Sequence, residues 1–209
     1  MMRTRRADRL ELFLQEVRRC RICLETPQKT PLPHDPRPVL QASTDARVLI
    51  VGQAPGARVH ATGLPFNDPS GDRLRNWLGI SRQAFYDPSK FAIVPMGFCF
   101  PGYDANGADL PPRPECAPHW RARLVALLPS IETVICVGRY AQEWHMPRFC
   151  RPTLTETVRN WKEPFETLKP KVMPLPHPSW RNTGWLKRNP WFEAEILPVL
   201  RREIARLTA

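Results

Sequence analysis

Val48-Leu49-Ile50-Val51 runs directly into Gly52-Gln53-Ala54-Pro55-Gly56, and six residues later the chain reads Gly63-Leu64-Pro65-Phe66. The first four residues are apolar, three of them β-branched, and a glycine closes them. They therefore read as a buried parallel strand that empties into a loop at its carboxyl end. Ligands of open α/β sheets bind at that end. The two glycines of residues 52–56 let backbone approach a ligand closely, the prolines at 55 and 65 stiffen the loop, and Phe66 carries a ring to its rim. Such a loop suits a flat ring. The competing reading is an ordinary strand-to-turn connection with Phe66 in the core.

Working outward, three further apolar runs bounded by turn signals lie at 91–96, 133–137 and 171–175. Helical patterns fall at 71–78, 113–128 and 139–145 between them, with an amphipathic helix at 8–19 before and a last helix from about 190 to 207. Strands alternating with helices imply a parallel sheet, and right-handed crossovers put helices on both of its faces. The expected fold is α/β, a three-layer α/β/α sandwich with a central four-stranded parallel sheet. A length of 209 residues suits one domain, 1–209. Prolines number 25, well above the usual share of about 5%. They gather at 27–38, 101–118 and 164–178 and read as stiff connecting loops rather than domain linkers.

The 31 Lys and Arg against 20 Asp and Glu give a formal net charge of +11. That sign suits a polyanion, because neutralising phosphates releases counterions, so nucleic acid is the expected partner. No apolar stretch approaches the roughly 20 residues that span a bilayer, so no membrane association is expected. The opening Met1-Met2-Arg3-Thr4-Arg5-Arg6-Ala7-Asp8 lacks the apolar core of a secretory signal, which points to the cytoplasm. The sequence names no protein partner, and a monomer is expected.

Six cysteines in a cytosolic chain point to metal or buried thiols rather than disulfides. Cys20 and Cys23 form a Cys-x2-Cys turn, which sets two thiolates on one side of a bend, as zinc or one edge of an iron–sulfur cluster requires. Cys99 and Cys116 stand wide apart around a Pro-rich loop at 101–114. That spread suits a cluster clasped by a long loop better than a compact zinc knuckle; zinc is the alternative and free thiols the third. Cys136 falls inside an apolar strand and Cys150 has no partner at metal spacing, so both stay outside the site.

The last apolar run ends in Leu175-Pro176-His177-Pro178-Ser179-Trp180-Arg181-Asn182. A histidine between two prolines has little backbone freedom, and at a strand's carboxyl end its imidazole is aimed at the crevice of residues 52–56. Histidine can donate a hydrogen bond at neutral pH to an anion forming on a leaving group. Ser179, Arg181 and Asn182 are donors suited to phosphates. Trp180 and Trp185 are wedges or stacking surfaces, or else pack against the last helix.

Taken in order, Gly-Gln-Ala-Pro-Gly with Gly-x-Pro-Phe, the strand-end His-Pro-Ser, and Cys-x2-Cys with two later cysteines around a Pro-rich loop resemble the uracil-DNA glycosylase superfamily. The iron–sulfur family 4 type is the closest. The resemblance runs from about residue 18 to the final helix. It implies a [4Fe-4S] cluster held by Cys20, Cys23, Cys99 and Cys116, and excision of a base flipped out of DNA. Gly52, Gln53, Ala54, Pro55 and Gly56 would contact the base and the attacking water, and Phe66 would stack on the base. His177 would hydrogen-bond the uracil carbonyl and stabilise the departing anion, with Ser179 beside it.

Three positions differ from the family 4 pattern or from the most active branch. Gln53 stands where family 4 has Glu, and Ala54 where the most active branch has a water-activating Asp. Pro95 stands where an Asn reads the uracil edge, and proline has no side-chain donor or acceptor. Asn67 is the candidate for the missing amide contact, and Asp68 or Asp72 for orienting water. The reading implied is a DNA repair glycosylase that hydrolyses the N-glycosidic bond of uracil or another deaminated base. The alternatives are a nucleic-acid-binding protein of the same fold without catalysis and, more distantly, a zinc-stabilised hydrolase of small nucleosides.

Overall fold

A computed structural model describes residues 2–209, with side chains from residue 5 onward. Strands β1 (Val48–Val51), β2 (Phe91–Ile93), β3 (Thr133–Val137) and β4 (Lys171–Leu175) form one sheet in the order β2-β1-β3-β4. Every pairing is parallel, with Val48 opposite both Phe91 and Thr133, and Thr133 opposite Lys171. β1 is thus central. The chain steps from it to β2 on one side and returns across it to β3 on the other, which opens a crevice beyond the carboxyl ends of β1 and β3.

Side chains alternate between the two faces along each strand, and both faces are covered, so the strands are apolar apart from Thr133 and Lys171 at the starts of β3 and β4. Leu49, Val51, Ala92, Val94, Val134, Cys136 and Val172 join one buried cluster. The helix Met2–Arg18 lays Leu10, Phe13, Leu14 and Val17 onto it, the i, i+3, i+4, i+7 stripe of an amphipathic helix. Val48, Ile50, Phe91, Ile93, Ile135, Val137, Met173 and Leu175 form the other cluster, under the helices Pro69–Leu78 and Leu197–Thr208. The three-layer α/β/α sandwich is as expected.

Strands β1, β3 and β4 and the helix Arg139–His145 keep the bounds read from sequence. β2 is shorter than the run 91–96. Val94 N still donates to Ile50 O at 2.9 Å, but Pro95 has no N–H with which to continue the ladder. The helix read as 113–128 begins only at a wide π-type turn, Ala117–Arg121, and ends as Ala122–Ala126. The last helix opens with a similar turn, Phe192–Ile196, ahead of Leu197–Thr208. Pro118 lies in the first of these turns and Pro198 just after the second. A ring that removes an N–H and crowds the carbonyl four residues earlier accounts for the widening. Short helices Ala57–Thr62, Arg82–Phe85, Leu154–Arg159 and Thr183–Arg188 stand where the sequence shows no periodicity, being too short to display one.

Candidate active site

The carboxyl ends of β1, β2 and β4 supply the crevice lining, and β3 lies between β1 and β4. β3 ends at Gly138, whose φ of +83° suits glycine and whose N–H donates to Leu175 O at 2.9 Å. A cleft of about 480 Å³ opens there, and all of residues 52–56 line it, together with Phe66, His177 and Ser179. The volume falls among those of small-molecule sites, about 300–1,000 Å³.

Phe66 sits at φ +53°, a left-handed conformation uncommon for an aromatic residue. Its surroundings hold it there. Gly71 packs so closely that a Cβ would overlap the Phe66 carbonyl oxygen. Arg75 Nη1 donates to that oxygen at 3.4 Å, and Tyr86 Oη donates to Pro65 O at 2.9 Å. Asp68 caps the helix Pro69–Leu78 by accepting from Gly71 N at 2.9 Å. Phe85 meets the Phe66 ring edge-on at 6.2 Å, and the ring lies over Gly52, where a Cβ would come within 3.1 Å of Cζ. Backbone strain of about 1–3 kcal/mol of this kind persists where packing over-determines it, and it clusters at ligand clamps.

His177 enters from β4. Asn182 Nδ2 donates to its carbonyl at 2.7 Å, and Arg73 ties the next turn by donating to Ser179 O at 2.8 Å and to Thr183 Oγ1 at 3.2 Å. Burial lowers the His177 pKa, against the opposing pull of Asp68. The imidazole is therefore neutral at pH 7, with one N–H to donate. Gln53 also lines the cleft, but its amide is tied to the Pro-rich loop: Nε2 donates to Leu110 O at 3.1 Å.

Asn67 and Asp72 do not line the cleft, although Asp68 does. The left-handed backbone at Phe66 reverses the chain, and Asn67 Oδ1 accepts from Arg82 Nη2 at 2.9 Å. The Asp72 carboxylate pairs with Arg75 on the outer face of its helix, 76% exposed. Trp180 is 74% exposed at the cleft mouth, with the Arg181 guanidinium 5.8 Å from its ring centroid. Trp185 instead packs edge-on to Trp191 at 5.7 Å.

Two features were not anticipated. The first is Arg121, fully buried, which donates to the carbonyls of Val94 and Pro95 at 3.0 and 2.9 Å and to His145 Nε2. The cleft wall at Pro95 thus offers neither a side-chain amide nor an uncommitted carbonyl. The second is Asp109, in the cleft from the loop 101–114. Its carboxylate oxygen lies 3.2 Å from where a Cβ on Gly56 would sit. Desolvation against the cleft wall raises its pKa, Arg181 opposes this, and Asp68 adds to it. An isolated Asp in a Gly- and Pro-rich loop carries no pattern that would have marked it.

Cys20, Cys23, Cys99 and Cys116 line one small pocket between the amino-terminal segment and the ends of the loop 101–114; all are free thiols. Two N–H groups already serve the sulfurs: Phe98 N donates to Cys116 Sγ at 3.3 Å, and Trp120 Nε1 to Cys20 Sγ at 3.2 Å. Such donors tune cluster thiolates. Arg113 Nε, also at this pocket, is buried with no hydrogen-bond partner, as is Glu115 Oε2. Desolvation raises the thiol pKa of Cys99 to about 12 and that of Cys116 further, so both are protonated at neutral pH unless a cation lies beside them. Among the described residues no group of three or more His, Cys, Asp or Glu could hold a metal ion. Four thiols on one pocket are the donor set that an iron–sulfur cluster takes.

Fold and cleft together define an α/β/α protein whose site opens at the switch point of its sheet. Residues 40–201 match the uracil DNA glycosylase superfamily, and the chain belongs to that family. It is a family of DNA repair glycosylases, hydrolases of base excision repair. The matched span holds all four strands, residues 52–56, Phe66, Asp109 and His177, while Cys20 and Cys23 precede it.

Proposed function

We propose that this protein is a DNA glycosylase that hydrolyses the N-glycosidic bond of uracil or another deaminated base flipped out of DNA. The observation that carries the reading is the pairing of Phe66 and His177 on one cleft at the switch point. Flipping a base costs a few kcal/mol of unstacking, which the Phe66 ring and hydrogen bonds to the base edge would offset. As the glycosidic bond lengthens, electron density moves into the base and the sugar becomes cationic. The neutral His177 N–H would meet the developing oxyanion, a contribution of several kcal/mol. Gly52, Ala54, Pro55 and Gly56 would form the floor against the base, and Ser179, Arg181 and exposed Trp180 would meet the DNA at the rim.

Pro95 shapes the specificity. With no amide at that position, uracil is not selected by an Asn contact, and the reading extends to other deaminated bases that offer a carbonyl to His177. The same feature, with the absence of any carboxylate in residues 52–56, favours as second reading a DNA-binding protein of this fold without catalysis. We further propose that Cys20, Cys23, Cys99 and Cys116 hold a [4Fe-4S] cluster of the family 4 type. It would supply a structural clasp on the loop 101–114, well suited to a monomer working in the cytoplasm. Among the described residues no helix is long and apolar enough to cross a membrane.

The test uses oligonucleotides, single- and double-stranded, each carrying one deaminated base, incubated with protein and then cleaved by alkali at abasic sites. Strand scission is expected for at least one; binding without scission for all of them would establish the second reading. Protein purified without air should be brown and contain about four irons per chain. A colourless, iron-free preparation would remove the cluster.

A further inference from the structure

We propose that Asp109 is the group that accepts the proton of the attacking water, carried into the cleft by the loop between Cys99 and Cys116 rather than by residues 52–56. This rests on the glycosylase reading. Residues 52–56 bring no acid: Ala54 ends in a methyl group, and the Gln53 amide is committed to Leu110 O at 3.1 Å. That same hydrogen bond imports one. The loop closes on itself through Leu110 N donating to Gly102 O at 2.9 Å and an antiparallel bridge between Tyr103 and Asp109. Gln53 then pins the closed loop to the end of β1.

The residue before the pinned Leu110 is Asp109, and the pin sets its carboxylate over Gly56, 3.2 Å from the position of a Cβ. Only a residue without a side chain leaves that place open. Arg181 and Asp68 are the charged groups that face Asp109. Asp68 also lines the cleft, but one of its oxygens accepts from Gly71 N and caps the helix Pro69–Leu78. His177 reaches the cleft from β4 and Asp109 from above β1, so different elements would serve the departing base and the incoming water.

In the step proposed, the oxygen of a water molecule bonds to C1′ of the deoxyribose. The bond from C1′ to the base nitrogen breaks, and its electron pair leaves on the base. The proton lost by the water passes to the Asp109 carboxylate and from there to the released base anion. Atoms and charge balance without any further reactant.

Single-turnover base release by the full-length protein tests this, alongside binding to an oligonucleotide whose 2′-fluorinated target nucleotide resists hydrolysis. Asp109→Asn is expected to lower the release rate about 100-fold. Binding should stay within about twofold, because the interaction removed acts only in the chemical step. The acid limb of the rate profile in the wild type, where the rate falls as Asp109 protonates, should disappear in Asp109→Asn and reappear in Asp109→Glu. An Asp109→Asn protein as fast as wild type, or one that loses binding in proportion to rate, overturns the assignment and leaves the glycosylase reading standing. A wild-type protein that binds the oligonucleotides and releases no base overturns both.

Discussion

At Phe66 a single backbone angle arranges the cleft. The ring reaches the rim because residue 66 is left-handed, and it is left-handed because Gly71 and Arg75 hold its carbonyl. Gly71→Ala puts a methyl into that carbonyl. We expect a loss of stability of about 2–4 kcal/mol, read from denaturant unfolding. Gly52→Ala differs: its Cβ meets only the end of the Phe66 ring at 3.1 Å. It should shift the melting temperature little and weaken oligonucleotide binding about tenfold, since the ring rather than the backbone must yield. His177→Asn should cut base release by roughly 100-fold or more. That residues 52–56, Phe66 and His177 line one cleft was legible because glycine, proline and strand ends announce backbone direction. Asn67 and Asp72 fall outside the cleft lining because closeness in sequence to Phe66 says nothing of a chain that reverses there. Asp109 was invisible because its place depends on a contact to Gln53 that spans more than fifty residues.

Among the elements, the parallel strands were readable from their continuous apolar runs, and the helix faces from 3.6-residue stripes. Prolines set the errors. They cut β2 at Ile93 and widened the first turns of two helices, and these effects depend on which N–H the fold needs rather than on composition. The short helix Thr183–Arg188 follows the His177 turn, and Arg73 joins both to the helix Pro69–Leu78 through Ser179 O and Thr183 Oγ1. Arg73→Ala should loosen that turn without touching the chemistry at C1′. KM is expected to rise about tenfold with kcat changed far less, the signature of binding lost equally from the ground and transition states.

Over the whole molecule, acid is the condition that strains this fold. His145 accepts from Arg121 and is held down to about 3, by burial first and by the Arg121 charge second. A histidine with a lowered folded pKa is neutral in the fold and protonated in the unfolded chain, so its stabilisation is complete above about 6.5 and is lost as pH falls toward 3. Glu203 adds to this. Burial would raise it, but hydrogen bonds from Arg206, Thr133 and Lys171 bring it to about 2, so its contribution fades between about 4.5 and 2. Stability measured by denaturant should fall as pH drops below 6.5, with a slope from His145 of up to about 1.4 kcal/mol per pH unit. His145→Gln, which keeps an acceptor for Arg121, should flatten that limb.

The stripe of Leu10, Phe13, Leu14 and Val17 has a consequence during synthesis. Phe13 meets Trp120 edge-on at 5.5 Å, and the sheet face beneath the helix includes Val134 and Val172. A ribosome delivers the first helix long before any of these, so its apolar side faces water while more than half of the polypeptide is still being made. The face is complete only once β3 and β4 have been made, so its last contacts close over long sequence separations.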